Sequence, residues 1–416
     1  MAVGSVPRPD GRLAVGGRHR SLLLIVGALS GLAPMSIDFY LPALPHLTAD
    51  LGADTSTGQL TLTACLLGLA LSQIVAGSLS DTLGRRRLVL VGLAAYGAIS
   101  VLCAVAPSIW VLLGLRFAQG CACGVGWVVS RAVVRDVFSG DAAARTFALL
   151  TQISGVAPVL APVIGAQVLL LTSWRGIFVT LALLAAVLLA VAALRMPETL
   201  PDHLRHEPGL GAKLRVFGSL LRDRRFVPFA ISGGLSFAAM FAYISGSPFV
   251  LENLYGLSAS LFAVVFGVNS AGIVLASLAS RRLVGRVGSG RLLNVGAWTM
   301  ALGATGLLVT VLLGLGLAPF LVFLLMTIAT VGLIQPNATA LAMAYQGHAA
   351  GSASALFGLG QFGVGALAAP LVGIAGSHTA VPMAVVIAAC GLGSLVVLRA
   401  SADRSPARPT ADLSGK

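Results

Sequence analysis

The chain has 416 residues, 57% of them hydrophobic and only 10% charged, with 50 glycines and a mean hydropathy of +0.95. An ordinary soluble domain carries about 25% charged residues, so this composition excludes one and points to a polytopic membrane protein. The net charge of +13 is not a nucleic-acid signature, because all but Arg116 and Arg175 of the 27 lysines and arginines fall in tails, alternate loops or one long central loop. That distribution is a topology signal.

Apolar runs of membrane-helix length predict an all-α protein of twelve transmembrane helices in two six-helix halves. The spans fall at about residues 22–45, 57–80, 88–106, 108–131, 145–170, 174–194, 226–250, 259–281, 291–313, 318–345, 350–376 and 380–399. Residues 1–21 form a basic tail, and the run after it is too long for a signal-peptide core, so it reads as a retained first span. Residues 22–194 are the N-terminal bundle, 195–225 a central loop rich in arginine, 226–399 the C-terminal bundle and 400–416 a second tail. The bias of Lys and Arg places both tails and the central loop in the cytoplasm, and Asp50, Asp54 and Glu252 outside.

The first span contains Pro34-Met-Ser-Ile-Asp38-Phe-Tyr40-Leu-Pro42-Ala-Leu-Pro45. An intramembrane carboxylate costs at least ~2.5–3.5 kcal/mol and normally faces a cavity or a partner; counting back from Pro45 places Asp38 about 10 Å deep. The flanking prolines loosen the helix and free backbone groups to line water. Between the second and third spans lies Gly77-Ser-Leu-Ser-Asp81-Thr-Leu-Gly84-Arg85-Arg86-Arg87. Three adjacent guanidinium groups hold this turn at the membrane surface, and Gly77 and Gly84 allow close helix approach and a sharp reversal.

In the fourth span Arg116 lies about 12 Å deep, close to the predicted depth of Asp38. The two are expected to pair, directly or through water, giving a carboxylate that takes up and releases a proton as its positive neighbour comes and goes; a static ion pair is the alternative. Arg116 is followed by Gln119-Gly120, then by Arg131 and Arg135 at the cytoplasmic end. Span five carries Gly155, Pro158, Pro162 and Gly165, small and kinking residues that permit close packing. The second half contributes no intramembrane charge; its polar residues are Tyr243, Asn269, Gln335-Pro336-Asn337 and Gln361. Tyr40, Gln119, Tyr243, Asn269, Gln335 and Asn337 join Asp38 as candidate substrate contacts, with interhelical hydrogen bonding as the alternative role for each amide. Sparse amides in an aromatic wall suit an amphipathic organic solute better than a sugar or an anion.

Cys65, Cys103, Cys121, Cys123 and Cys390 lie within spans and form no CxxC pair, and the histidines show no HExxH spacing. Neither a metal nor a cofactor is indicated. A membrane enzyme would need a nucleophile, a metal set or paired acids at one depth, whereas Asp38 stands alone.

The loop G-x-L-x-D-x-x-G-R-R resembles the signature loop of the major facilitator superfamily of secondary transporters. Arg116-x-x-Gln119-Gly120 is similar to its fourth-span motif and the span-five stripe to its antiporter motif, although Ala166 stands where a second glycine is usual. With I-D-x-Y-L-P-A-L-P, Y-I-S-G-S-P-F and P-N-A-x-A-L, the chain from about residue 20 to 400 resembles the Bcr/CflA branch of drug/proton antiporters. The resemblance implies proton-driven, alternating-access export of drug-like molecules from the bacterial inner membrane by a protein working as a monomer. It assigns proton coupling to Asp38 and Arg116. To Gly77, Asp81, Gly84, Arg85 and Arg86 it assigns a latch between the halves. Export of a metabolite such as an amino acid or sugar, and inward proton symport, remain open on the same fold.

Overall fold

Prolines and glycines decide where several helices of this chain stop. The computed structural model describes residues 17–138, 140–202, 205, 210–344, 346, 350–374, 376 and 379–402; the distal parts of both tails and part of the central loop lie outside them. Helix α1 spans Gly17–Asp38 and ends there for a clear reason: Pro42 has no N–H to donate to the Asp38 carbonyl. The chain tightens into a 3-10 turn, Leu41–Ala43, then resumes as a short helix, Leu44–Asp50. The remaining long helices are α2 Thr55–Leu83, α3 Arg85–Ala104, α4 Ile109–Val137, α5 Gly140–Leu171, α6 Trp174–Arg195, α7 Val227–Pro248, α8 Ala259–Val287, α9 Ser289–Leu312, α10, α11 Ala350–Val372 and α12 Val381–Ala402, and a short helix, Leu210–Leu220, lies in the central loop. Helix α10 is broken at Thr330 into Leu317–Ala329 and Val331–Met343, and α7 continues past Pro248 as one wide π turn, Phe249–Leu254. Among the described residues 11 helical segments are long and apolar enough to cross a membrane, and α5 adds the shorter apolar stretch Leu160–Leu171.

The basic turn between α2 and α3 marks one end of the bundle, here called the basic end; Asp50 and Asp54 mark the far end. Four helices starting at the far end are capped by side chains that satisfy an orphan amide. Asp54 accepts from Thr57, Ser108 from Val111, Ser173 from Arg175 and Ser258 from Leu261. The side chain of Thr57, and then its amide, hold the Asp54 carboxyl below the usual carboxylate range. At the basic end two reversals use glycines at positive φ, Gly84 at 89° and Gly288 at 85°, a conformation costly for other residues. Arg281, Arg282 and Arg286 lie inside the last turns of α8, without an acid among them.

Within the N-terminal half α2 packs most extensively on α4, and α3 on α6; in the second half α11 and α12 pack on α7. The α2–α4 crossing requires glycine on both helices. A methyl on Gly68 would lie 2.2 Å from the Phe117 carbonyl, and one on Gly120 would lie 2.1 Å from that of Cys65. The equivalent α8–α10 crossing uses Gly332, where a methyl would lie 2.1 Å from the Ile273 carbonyl. The halves meet along α2 with α11 and α5 with α8. At the far end they are joined by Gln59 Nε2 donating to the Ser245 carbonyl and Thr63 Oγ1 to that of Ala366, both at 3.1 Å.

The crossing sets a test. Gly120→Ala should cost the purified protein on the order of 1–3 kcal/mol by overpacking, read as a lower unfolding temperature in detergent. Gly114→Ala on the same helix, where nothing lies within 4 Å, should leave that temperature unchanged or raise it.

Candidate functional site

A cavity of about 220 Å³ lies between the halves, lined from the first by Pro34, Asp38, Trp127, Arg131 and Pro158 and from the second by Phe237, Phe241, Tyr243, Phe266, Gln361 and Phe362. Its aromatic wall is ordered by ring packing: Phe237 and Phe241 at 4.8 Å, Phe237 edge-on to Phe362 at 5.4 Å, and Tyr243 stacked on Phe266 at 5.4 Å. Asp38 enters this wall from the broken end of α1. It is buried, yet its Oδ1 has no hydrogen-bond partner among the described residues, and neither has the Tyr243 hydroxyl across the cavity. Buried polar atoms left unpaired are costly, and they sit here where a solute or water would meet them.

The expected pair of Asp38 with Arg116 is not formed. Arg116 is fully buried inside the N-terminal half, donating from Nη2 to the Ser36 carbonyl at 2.9 Å and from Nη1 to the Gln119 side-chain oxygen. Its guanidinium lies 4.4 Å from the Tyr40 ring centroid and 5.7 Å from that of Phe178. No carboxylate comes within ion-pair distance of it among the described residues, so carbonyl, amide and π face carry the charge instead. The reason is helical phase. Ser36 and Tyr40 flank the cation from one side of the chain, whereas Asp38, two residues along, points about 200° away. The expectation of pairing took no account of azimuth.

Tyr40 and Gln119 therefore belong to this internal network and not to the cavity. The Tyr40 hydroxyl bonds that of Thr61 at 2.8 Å, and Gln119 Nε2 donates to Ser100 Oγ at 2.8 Å. The network continues through Ser36 to Tyr96, at 2.6 Å. The second-half amides divide similarly. Asn337 donates to Ser280 at 2.7 Å, tying α10 to α8, and Asn269 donates to the Val265 carbonyl of its own helix, leaving its side-chain oxygen unpaired. Gln335 donates to the Gly233 carbonyl at 2.9 Å and accepts from Gln361, which does face the cavity. Of the seven candidate substrate contacts, Asp38 and Tyr243 line the cavity.

The basic turn forms a dense ion-pair cluster, but within one half. Arg85 reaches Asp81 and Ser80, both at 2.6 Å, and Asp136 on α4 at 2.9 Å. Glu198, in the loop after α6, accepts from the amides of Arg85 at 2.8 Å and Arg86 at 3.1 Å, capping α3. Arg86 donates to the Ala193 carbonyl at 2.7 Å. These contacts join α2, α3, α4 and the central loop; the expected bridge between halves is absent from them. Gly84 is required by its φ and by the Glu198 carboxylate, 2.5 Å from where a methyl would sit. Gly77 has room, with Val128 no closer than 3.8 Å. On α5 Pro158 lines the cavity, Pro162 is buried, and a methyl on Gly165 would lie 1.9 Å from the Phe39 carbonyl, so α5 closes on the break after α1. Gly155 lies in α5, its side-chain position outside those described.

Glu198 and Arg131 were missed from sequence. Glu198 carries no signal beyond its place in an otherwise basic loop. Arg131 follows Trp127 by one helical turn, which puts it on the same face as a residue of the wall.

The sequence matches the family described as "Major Facilitator Superfamily" over residues 26–370. It is 38% identical over 392 residues to "Uncharacterized MFS-type transporter YdgK" of Bacillus subtilis (strain 168), covering 93% of this chain and 97% of the relative. It is 29% identical over 368 residues to "Bicyclomycin resistance protein homolog" of Haemophilus influenzae, covering 88% and 92%. The fold is similar to that of a solved D-xylose-proton symporter, with a TM-score of 0.71 at 17% identity over 92% of this chain and 97% of that one.

Arg85→Ala should strand Asp81 and Asp136 and lower stability by about 1–3 kcal/mol, measured by thermal unfolding of the purified protein. Arg86→Ala, which loses one exposed bond, should cost under about 1 kcal/mol.

Proposed function

The chain belongs to the Major Facilitator Superfamily, and on that premise we propose that it is a proton-coupled exporter of drug-like organic molecules, a drug/proton antiporter of a bacterial inner membrane. The observation that carries this reading is Asp38: a buried carboxylate, unpartnered at Oδ1, at a helix break and facing an aromatic cavity shared by both halves. Such an acid can exchange a proton for a bound solute. The name of the Haemophilus influenzae relative supports export of an antibiotic-like compound.

In the proposed cycle Asp38 takes up a proton from outside as solute leaves. On the inside, solute arrival favours proton release. One proton crossing ~100 mV yields about 2.3 kcal/mol and one pH unit adds about 1.4 kcal/mol, enough for a neutral-solute gradient of several hundredfold. Because Arg116 serves the internal network, the switch on Asp38 is assigned to solute and water entering the cavity, and Arg116 to holding the half rigid. The basic end is assigned to the cytoplasm. The far-end bonds of Gln59 and Thr63 then seal the outside, so the conformation is inward-facing. The Asp81–Arg85 cluster biases the exchange between states by fixing the basic ends of α2, α3 and α4.

Asp38→Asn, reconstituted in vesicles with an imposed pH gradient, should show no uphill export and no substrate-induced proton release, while downhill exchange persists. Bicyclomycin is the first solute to try. Uphill pumping by this variant would remove Asp38 as the carrier. Topology is tested separately: a membrane-impermeant thiol reagent applied to cells should label a cysteine introduced at Asp54 and spare one at Arg205.

A further inference from the structure

We propose that Arg131 is an anion anchor in the central cavity, and that the solutes taken there are aromatic or apolar molecules carrying a single carboxylate-class anion. This rests on the reading of the cavity as the solute site and narrows its chemistry. The sequence placed Arg131 at the cytoplasmic end of its span, and its aromatic wall with sparse amides disfavoured anions. In the structure the Arg131 side chain is exposed and lines the cavity. No acid of the described residues lies within ion-pair distance of it, and its guanidinium lies 4.5 Å from the Trp127 ring centroid.

An arginine in a membrane-embedded cavity is costly unless water or a counter-ion meets it. Here the indole face takes one surface of the guanidinium, which fixes its plane and leaves its edge donors unspent. A planar fork of N–H groups held this way matches a carboxylate in a bidentate pair. The body of such a solute would lie along Phe237, Phe241 and Phe362. By helix rise Asp38 is on the order of 15 Å from Arg131 along the bundle axis. An ionised Asp38 repels a second acidic group, so among anions monoanions are preferred, their single charge held at Arg131 and away from the carboxylate that gives up its proton.

The test uses wild-type protein in phosphatidylcholine nanodiscs, titrated calorimetrically with 2-naphthoate, 2-naphthylmethanol and 2-naphthylmethylammonium, with empty nanodiscs subtracted. Wild type should bind 2-naphthoate at least about tenfold more tightly than the alcohol, with no advantage for the ammonium. Arg131→Gln should abolish the difference and Arg131→Lys should retain part of it. Should Arg131→Gln fail to fold, the three-probe comparison on wild type still decides. Equal affinity for 2-naphthoate and the alcohol, no binding of 2-naphthoate, or an anion preference surviving in Arg131→Gln would each overturn the assignment. Loss of uphill export in Asp38→Asn does not depend on this preference, so the transport reading and the anion anchor fail separately.

Discussion

The site depends on where α1 stops. Pro42 withdraws the amide that would have carried the helix past Asp38, and three arrangements follow from that one missing hydrogen bond. Asp38 reaches the cavity at the last residue of the helix. Tyr40, in the break, turns inward beneath Arg116. The Phe39 carbonyl lies bare enough for Gly165 to bring α5 against it. A continuous helix would keep every carbonyl on its own ladder, and α5 would have no break to close on.

The two halves divide the polar work unevenly. The first holds a buried arginine whose two terminal nitrogens donate to neutral groups, in a network running through Gln119, Ser100, Ser36 and Tyr96. The second offers mainly rings to the cavity. The buried hydrogen-bond network of the first half and the close crossings at Gly68, Gly120 and Gly332 resist deformation. Rigid halves suit a mechanism in which one bundle rocks against the other around a central site.

Much of this was legible in the residues. Hydropathy marks the spans, because lipid demands an unbroken apolar run. The turn at Gly84 announces itself through glycine and charge, and Asp38 through the expense of an acid among apolar neighbours. What could not be read was direction around a helix axis. Asp38 faces away from Arg116, and the break after Asp38 shifts the phase that periodicity would supply. Arg131 failed in the opposite sense: position near a helix end suggested the membrane surface, while tertiary packing turned it into the cavity. Glu198 caps a helix more than a hundred residues earlier in the chain, a relation no local pattern encodes.

The far-end seam has an asymmetry with a consequence for how the protein can vary. Both donors, Gln59 and Thr63, are side chains of α2, and both acceptors, at Ser245 and Ala366, are main-chain carbonyls. No substitution in the second half can delete a carbonyl. The side chains of α7 and α11 near the seam are thus free to drift in sequence without losing either bond, provided the helices keep their positions. The first half has no such latitude, since a single change at Gln59 or Thr63 removes a bond outright. Variants altered in how readily the far end opens should therefore gather on one helix of one half.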